Sequence, residues 1–255
     1  MLPTLAYRDE LAIVTLNRPE ALNALSFDVV KALSRHFDEV AASKARMLLI
    51  TGAGTKAFCA GADIKELKGR GLVATQAATD FGQAAIAKLD TLPMPSVAVI
   101  NGFALGGGLE LALACTFRIA TRNAKLGLPE VKLGLIPGYG GTQRLSRIVG
   151  EGRALDLVMS GRFIDAVEAE RIGLLTRLLD GDALEGGITY AREFTSYGLP
   201  ALKLARDAVR RSHDLPIHEG LKVESDLNTL AFMTADAKEG IEAFEQKRKA
   251  KFRDR

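Results

Sequence analysis

The chain has 255 residues, of which 47% are hydrophobic and 25% are charged, and its formal net charge at pH 7 is +3. A chain of this length buries roughly 70–75% of its unfolded surface and forms a globular domain. Basic and acidic residues are interleaved until close to the carboxyl terminus, so we do not expect a nucleic-acid partner. No apolar run approaches the roughly 18 residues of a membrane span, so we expect no membrane partner either.

The cysteines and the amino terminus indicate the cellular compartment. Cys59 and Cys115 are far apart, and neither has a second Cys or a His nearby in the sequence. This pattern favours a reduced intracellular compartment and argues against a metal site. A strand-like run begins by about Leu11, which leaves no room for a targeting segment. We therefore expect a soluble, cytoplasmic protein without a metal ion.

Hydrophobic periodicity predicts an α/β fold. Short apolar runs alternate with longer amphipathic stretches through most of the chain, which is typical of parallel strands joined by crossover helices. The candidate strands are residues 11–16, 47–51, 96–100 and 117–120.

Two helices are predicted between these strands. The first spans residues 26–43, where apolar residues recur at helical spacing and Ser26 is placed as the N-cap. The second spans residues 75–90. It is ended by Pro93 and Pro95, which force extended backbone just before the third strand.

After Gly150 the pattern becomes helical almost throughout. One apolar run, residues 174–179, fits a late strand or a strand at a sheet edge. Pro200 is suited to the first position of one helix, and Pro216 opens another.

The carboxyl-terminal quarter is predicted to be entirely helical. Asp236 with Glu239 forms a capping-box pattern ahead of a further apolar stretch. Gly198 punctuates the change in pattern, so we divide the chain into a core domain at residues 1–198 and a helical region at residues 199–255.

The first glycine-bearing segment, Gly52 to Ala57, formally fits the dinucleotide-binding pattern G-x-G-x-x-A. However, Gly61 interrupts the helix that should follow, and no acidic residue ends a second strand about 20 residues on. The chain also contains no G-x-x-x-x-G-K-S/T and no G-x-S-x-G pattern. Nucleotide hydrolysis and serine hydrolysis therefore lack their usual motifs.

A second segment, residues 101–111, contains three consecutive glycines between a predicted strand and a helix at residues 109–114. Glycine permits close backbone approach, and an amide at a helix start, assisted by the dipole, can hold a developing oxyanion. Alternatively, the glycines only permit tight packing of helix against strand. Glu110, in the same first turn, is a candidate catalytic carboxylate or simply an acid suited to the dipole.

A third segment, residues 126–142, places Glu130 directly after a proline among mostly apolar neighbours. A single glutamate in such a loop is often solvated, because acids are seldom buried unpaired. If Glu130 lies near Glu110, the two carboxylates cannot both ionise freely. The pKa of one then rises, and the pair can serve as base and acid together.

Together these segments resemble the crotonase, or enoyl-CoA hydratase/isomerase, superfamily. The resemblance spans nearly the whole chain in one order, and the joint spacing of its motifs is specific where any one motif is not. The matching motifs are Leu16-Asn17-Arg18-Pro19, Ala21 to Leu25, Ala60-Gly61-Ala62-Asp63, Gly106-Gly107-Gly108, Leu128-Pro129-Glu130, Ile136-Pro137-Gly138 to Leu145, and Phe244 to Lys249.

The resemblance implies an oxyanion hole formed by the backbone amides of Ala62 and Gly107, which would bind a thioester carbonyl. It also implies an acyl-CoA substrate, in which coenzyme A is part of the substrate and no separate cofactor is needed. Lys247 matches a lysine that reaches the nucleotide phosphate from a neighbouring subunit, or it is a solvated charge on the last helix. The implied coenzyme A contacts are Ala24, Ala60, Ala62, Asp63, Ile64, Lys65, Gly106, Gly107 and Lys247.

Both glutamates of the hydratase branch are present. The resemblance therefore implies an enoyl-CoA hydratase of the fatty acid β-oxidation type, which adds water to trans-2-enoyl-CoA and gives 3-hydroxyacyl-CoA. Glu110 is assigned as the base toward water, and protonated Glu130 as the acid that delivers hydrogen to C2. The stretch at residues 66–79 resembles the loop that bounds the acyl pocket and does not indicate chain length.

The implied fold is a spiral of repeated strand-strand-helix turns with a carboxyl-terminal helical region that mediates homotrimers, often paired into hexamers. Other acyl-CoA reactions of this superfamily remain open: double-bond isomerisation, carnitinyl-CoA dehydration and methylglutaconyl-CoA hydration. A second alternative is RNA binding through the basic terminus at residues 247–255, which also fits a solvated helix end.

Overall fold

The computed structural model describes residues 1–66 and 68–254. It is an α/β protein, as the sequence predicted, and the described strands form two sheets. Its strands are β1 (Thr4–Arg8), β2 (Leu11–Leu16), β3 (Met47–Gly52), β4 (Ala57–Cys59), β5 (Ser96–Ile100), β6 (Phe103–Leu105), β7 (Phe117–Thr121), β8 (Lys125–Gly127), β9 (Ile164–Asp165) and β10 (Arg177–Leu179).

The longer helices connect these strands and then take over the chain after β10. They are α1 (Phe27–Ala41), α2 (Leu72–Thr91), α3 (Gly107–Ala114), α4 (Gly141–Val149), α5 (Glu151–Ser160), α6 (Ala166–Arg171), α7 (Ala183–Arg192), α8 (Leu199–Arg211), α9 (Ile217–Phe232) and α10 (Ala235–Glu245).

The larger sheet has the order β1-β2-β3-β5-β7-β10, and all its pairings are parallel except β1 with β2. The four predicted strands are β2, β3, β5 and β7, and their observed bounds agree to within one residue. Every residue of β3 and β5 is buried. Both faces of these strands are therefore covered, which is why they read as continuous apolar runs. The apolar run at 174–179 contributes β10 at the sheet edge.

The smaller sheet has the order β4-β6-β8-β9, with β4, β6 and β8 parallel. Each of its first three strands follows a strand of the larger sheet after a short turn: β4 follows β3, β6 follows β5, and β8 follows β7. Helices α2 and α3 come after the first two of these pairs. The chain therefore winds as repeated strand-strand-helix turns, in agreement with the fold implied by the resemblance.

Helix α1 forms as its sequence predicts. The hydroxyl of Ser26 accepts a hydrogen bond from the amide of Val29, which caps the helix start. Its apolar stripe, including Leu33 and Phe37, is buried in the main core. Helix α2 begins earlier than predicted, at Leu72, because Gly71 takes extended backbone as its N-cap.

The predicted capping box at Asp236 and Glu239 is wrong. Thr234 is the N-cap of α10, and its hydroxyl accepts from the amide of Ala237. The carboxylate of Asp236 instead accepts hydrogen bonds from the amides of Arg253 and Asp254, at 2.7 and 2.9 Å. These donors lie in the terminal segment, so their effect could not be read from local spacing.

Two further residues of the basic terminus contact the same helix. Arg248 pairs with Glu239 at 2.6 Å, and the amide of Lys251 donates to the same carboxylate at 2.7 Å. Arg255 lies outside the described residues. Pro200 is the second rather than the first residue of α8, and Pro216 is the N-cap of α9. No helix in the described ranges combines the length and apolar character needed to span a membrane.

Candidate active site

The smaller sheet explains why residues distant in sequence meet at one place. Its strands β4, β6 and β8 are adjacent and parallel, so their carboxyl ends lie at the same sheet edge. Ala62 follows the end of β4, Gly107 follows β6, and Glu130 follows β8. The topology therefore gathers three of the predicted site residues at this edge.

Gly106 makes the turn between β6 and α3. Its φ of +52° with ψ of −128° is a backbone conformation that residues with a side chain rarely adopt. A Cβ at this position would also lie 2.8 Å from Oε1 of Glu130. Glycine is therefore required both by the turn and by the approach of the Glu130 carboxyl group.

The amides of Ala62 and Gly107 lie side by side. A Cβ at Gly107 would be 3.5 Å from the amide nitrogen of Ala62. Leu25 holds the first of these segments, because its amide donates to Gly61 at 2.8 Å and its carbonyl accepts from Asp63 at 2.9 Å. Among the described residues, neither Ala62 nor Gly107 uses its own N–H in a hydrogen bond. Two N–H groups without a partner among the described residues therefore lie close together at the start of α3.

The glycines of this turn serve packing as well. A Cβ at Gly108 would overlap the carbonyl oxygen of Cys59 at the end of β4. The tight-packing interpretation of the three glycines is thus correct for Gly108. It does not account for Gly106 or for the free amide of Gly107.

Glu110 is buried in the first turn of α3, with only 2% of the residue exposed. Its Oε1 accepts hydrogen bonds from the amides of Tyr139 and Gly141, both at 2.7 Å. Burial raises the pKa of Glu110 to about 7; the Gly141 hydrogen bond opposes this rise, and the charge of Glu130 adds to it. Its environment is far from that of a surface acid at a helix start.

Glu130 begins a short 3-10 helix, Glu130–Leu133, directly after Pro129. Its Oε2 is buried and has no hydrogen-bond partner among the described residues. Burial raises the pKa of this carboxyl group, because the charged form loses hydration. Glu130 is therefore partly buried, and it is not a fully solvated loop residue.

Two residues that sequence reasoning missed hold the turn that contacts Glu110. The guanidinium of Arg144 donates to the carbonyl of Tyr139 at 3.2 Å and pairs with Asp90 at 2.7 Å. This links α4 to α2 across the turn whose amides bind the Glu110 carboxylate. The partners are more than fifty positions apart in sequence, so no local pattern could have indicated them.

Two of the predicted coenzyme A contacts, Ala24 and Asp63, bind the side chain of Arg18. Its guanidinium pairs with Asp63 at 3.2 Å and donates to the carbonyl of Ala24 at 3.1 Å. The amide of Ala60 donates to the carbonyl of Leu22, which keeps this segment beside the same loop. Ile64 and Lys65 then form an exposed 3-10 turn immediately after Asp63. These residues form one partly exposed surface next to Ala62.

Lys247 is not part of this cluster. It follows α10 with a positive φ of 52°, and its amide donates to the carbonyl of Phe244. Within residues 1–66 and 68–254, its side chain forms no ion pair. Its predicted contact with a nucleotide phosphate stays a prediction.

The dinucleotide pattern at Gly52 to Ala57 does not lead into a helix. The segment ends β3 and passes directly into β4. The side chain of Asn101 crosses this turn and donates to the carbonyls of Gly52 and Gly54, at 2.8 and 2.7 Å. These glycines therefore serve a tight strand-to-strand connection, without the helix start that a pyrophosphate needs.

Comparison with known proteins identifies the family of the whole chain. Residues 7–255 match the family model described as "Enoyl-CoA hydratase/isomerase". The short-chain-enoyl-CoA hydratase of Clostridium acetobutylicum is 40% identical over 242 residues, which are 94% of this chain and 93% of that protein. The crotonyl-CoA hydratase of Syntrophomonas wolfei is 40% identical over 246 residues, which are 96% of this chain and 95% of that protein.

Solved structures give the same result. The crystal structure of enoyl-CoA hydratase from Bacillus anthracis superposes with a TM-score of 0.94 at 38% sequence identity, covering 99% of both chains. An enoyl-CoA hydratase structure from Polaromonas sp. JS666 gives the same TM-score of 0.94 at 27% identity, covering 99% of this chain and 100% of that chain. The spiral architecture is therefore shared over the entire length.

Proposed function

Because this chain belongs to the enoyl-CoA hydratase/isomerase family, we propose that it catalyses the reversible addition of water to a trans-2-enoyl-CoA, which gives 3-hydroxyacyl-CoA. One observation carries the proposal. Two carboxyl groups whose pKa values are raised by burial, Glu110 and Glu130, adjoin the same turn as the free amides of Ala62 and Gly107.

In the proposed reaction, the thioester oxygen accepts hydrogen bonds from the amides of Ala62 and Gly107. Attack of water at C3 moves electrons onto this oxygen and produces an enolate. The two amides stabilise that charge, and the positive end of the α3 dipole assists them. Loss of one such donor typically costs about 3–4 kcal/mol of transition-state stabilisation.

Glu110 is proposed as the base and Glu130 as the acid. The two amides that donate to Glu110 favour its charged form, so it can accept a proton from water as the oxygen bonds to C3. Oε2 of Glu130 is buried without a donor, which favours its protonated form. Glu130 then transfers its proton to C2, and the two groups exchange roles in the dehydration direction.

The coenzyme A moiety is proposed to bind along the surface formed by Ala24, Ala60 and the segment 62–65, beside Ala62 and Gly107. Lys247 is proposed to contact the nucleotide phosphate from a neighbouring subunit. Two of the relatives are named for a short-chain enoyl-CoA and for crotonyl-CoA, so crotonyl-CoA is the first substrate to test.

The experiment follows the loss of ultraviolet absorbance of the conjugated enoyl thioester. We expect Glu110→Gln and Glu130→Gln each to lower kcat by about 10²–10⁴-fold, because each removes one proton-transfer group. Glu39→Gln, an exposed glutamate on α1, is the matched control and should keep wild-type activity. Full activity in both active-site variants would contradict the mechanism.

A substrate panel separates hydration from the other acyl-CoA reactions of the family. We expect wild-type protein to consume trans-2-enoyl-CoA and to produce a 3-hydroxyacyl-CoA by mass spectrometry. Conversion of a trans-3-enoyl-CoA into its trans-2 isomer without hydration would instead indicate an isomerase. In that case the carboxyl pair removes a proton from C2 and delivers one to C4, and no water is added.

A further inference from the structure

The ring of Tyr139 fills the groove between α2 and the start of α3. A Cβ at Gly82 of α2 would overlap Cε1 of this ring, so the ring is seated directly on the backbone of α2. On its other side, a Cβ at Gly107 would lie 3.5 Å from Cδ2 of the same ring. One aromatic side chain thus spans from α2 to the amide pair of the candidate active site.

Hydrogen bonds hold the main chain of the turn that carries this ring. The amide of Tyr139 donates to Glu110, and its carbonyl accepts from Arg144. The side-chain amide of Gln83 on α2 donates to the carbonyl of Gly138 at 2.8 Å, which ties the turn to the helix that carries Gly82. The backbone that carries the ring is therefore held beside the site.

The side chain of Tyr139 presents an uncharged, largely apolar surface. Burial raises the pKa of Tyr139 above its ordinary range, so its hydroxyl stays neutral near neutral pH. Within the described residues, this hydroxyl donates and accepts no hydrogen bond. The ring packs against the hydrophobic core. No hydrogen bond of its hydroxyl within the described residues explains why this position is Tyr and not Phe.

The position of the ring has a consequence for the acyl chain. A thioester carbonyl bound at Ala62 and Gly107 lies beside Cδ2 of Tyr139, and C2 and C3 lie beside the carboxyl pair. We propose that the acyl atoms beyond C3 extend toward this ring, and that Tyr139 is a specificity-determining residue that closes the acyl compartment and restricts the enzyme to short acyl chains. This inference rests on the proposed acyl-CoA substrate.

The positions next to the ring carry little bulk of their own. Gly82 has no side chain, and the nearest heavy atom to a Cβ at Gly138 would be the methyl group of Thr79 at 3.8 Å. We therefore expect removal of the ring to open space along α2. Conversely, any side chain at residue 82 would displace the ring. The glycine and the tyrosine form a matched pair, which predicts coupling between substitutions at the two positions.

The first test measures kcat/KM for crotonyl-, hexenoyl-, octenoyl- and decenoyl-CoA. Apolar pockets discriminate on the order of tenfold or more per methylene group, so the wild-type value should fall steeply beyond hexenoyl-CoA. In Tyr139→Ala the ratio of octenoyl-CoA to crotonyl-CoA kcat/KM should rise at least about tenfold. Every substitution at residue 139 keeps the backbone amide that donates to Glu110.

Matched variants distinguish loss of the aromatic ring from other effects of a tyrosine substitution. Tyr139→Phe keeps the ring without the hydroxyl and should keep the wild-type chain-length ratio. Tyr7→Ala removes an exposed tyrosine from β1 and should also leave the ratio unchanged. A wild-type profile that is flat or favours long chains, or a Tyr139→Ala profile parallel to wild type, would overturn the inference.

A binding measurement tests the inference independently of turnover. Calorimetric titration with butyryl-, hexanoyl-, octanoyl- and decanoyl-CoA should give affinities that fall with length in wild type and rise with length in Tyr139→Ala. Gly82→Ala should weaken binding of every ligand in the wild-type background, but not in the Tyr139→Ala background. Absence of hydration with this binding pattern intact would defeat the proposed function alone. Hydration with a binding profile that Tyr139→Ala leaves unaltered would defeat the inference alone.

Discussion

At the scale of single residues, the two carboxyl groups of the site have opposite surroundings. Glu110 accepts two backbone hydrogen bonds on one oxygen, whereas one oxygen of Glu130 is buried without a donor. A hydrogen bond donated to a charged group is worth about 1.5–3 kcal/mol, and an unsatisfied buried group costs a comparable amount. The two backbone donors therefore offset part of the cost that burial imposes on a charged Glu110, whereas Glu130 has no such donor on its buried oxygen and is favoured in its protonated form. This difference is the division of roles that hydration requires.

The raised pKa of Glu110 predicts a pH dependence. Its folded-state value of about 7 lies above the ordinary value of a glutamate, so the residue gains a proton as the pH falls through about 7. The proposed base must be charged, and kcat/KM for crotonyl-CoA should therefore fall about tenfold per pH unit below this value. A pH–rate profile of the free enzyme checks this. An acid limb near pH 4.5 would contradict it.

Gly106 yields a second prediction at this scale. Gly106→Ala combines a strained backbone with a Cβ placed 2.8 Å from Oε1 of Glu130. We expect this variant to lose about 1–3 kcal/mol of stability and most of its activity, because the carboxyl group must move. Denaturant unfolding and the ultraviolet assay measure the two effects.

Gly150→Ala is the control for this experiment. Gly150 also has a positive φ, of 83°, but a Cβ there would meet no atom within 4 Å. The Gly150→Ala variant should lose stability to a similar degree and keep its catalytic activity. Equal activity in the two variants would show that the contact with Glu130 is unimportant.

At the scale of elements, the local sequence predicted the strands and helices whose hydrophobic pattern is long and keeps a single period. Strands β2, β3, β5 and β7 each have five or six residues, and most of these residues are buried. Helix α1 has a cap and an apolar stripe. In each case the local signal and the tertiary burial agree, so single-sequence reasoning succeeds.

The same reasoning misses elements that depend on distant partners. Strands β4, β6 and β8 have three residues each, which is too short for a periodic signal. They form because parallel neighbours supply their hydrogen bonds. The placement of Ala62 beside Gly107 follows from this sheet, so the family resemblance could suggest the pair but local patterning could not. The contacts of Asp236 with the terminal segment are equally non-local.

Asp236 supports a prediction at the element scale. Its buried carboxylate accepts from the amides of Arg253 and Asp254, and Gly198 leaves the space that it occupies. Asp236→Ala should release the terminal segment and lower the free energy of unfolding by about 3 kcal/mol. Hydrogen exchange at residues 253 and 254 measures the release directly.

Glu245→Ala, which removes an exposed acid from the same helix, provides the comparison. It should leave both stability and the exchange of the terminal amides unchanged. Wild-type protection of those amides in Asp236→Ala would show that the carboxylate does not anchor the segment.

At the scale of the whole molecule, the carboxyl-terminal helical region exposes several large apolar side chains. Met233, which follows α9, and Phe244 of α10 are 77% and 86% exposed, and Ile217 and Leu221 of α9 are exposed as well. Where exposed apolar side chains join into one patch, the patch usually marks an interface. The family resemblance implies homotrimers or hexamers through this region. We therefore expect the protein to sediment as a trimer or a hexamer, and Phe244→Glu to shift it toward monomers.

Leu72→Glu is the matched control for assembly, because Leu72 is 87% exposed but lies at the start of α2. This variant should keep the wild-type sedimentation coefficient. A monomeric wild-type protein at micromolar concentration would contradict the expected assembly.

Assembly also decides what Lys247 can do. Lys247 lies three residues beyond Phe244, outside the cluster around Arg18 and Asp63. If it binds the nucleotide phosphate of a neighbouring chain, Lys247→Ala should weaken acyl-CoA binding about tenfold in the assembled protein. The same substitution should have no effect in the monomeric Phe244→Glu background, because no neighbour remains to receive the lysine. Calorimetry on the four proteins measures this coupling, and an equal loss in both backgrounds would place the phosphate contact within one chain.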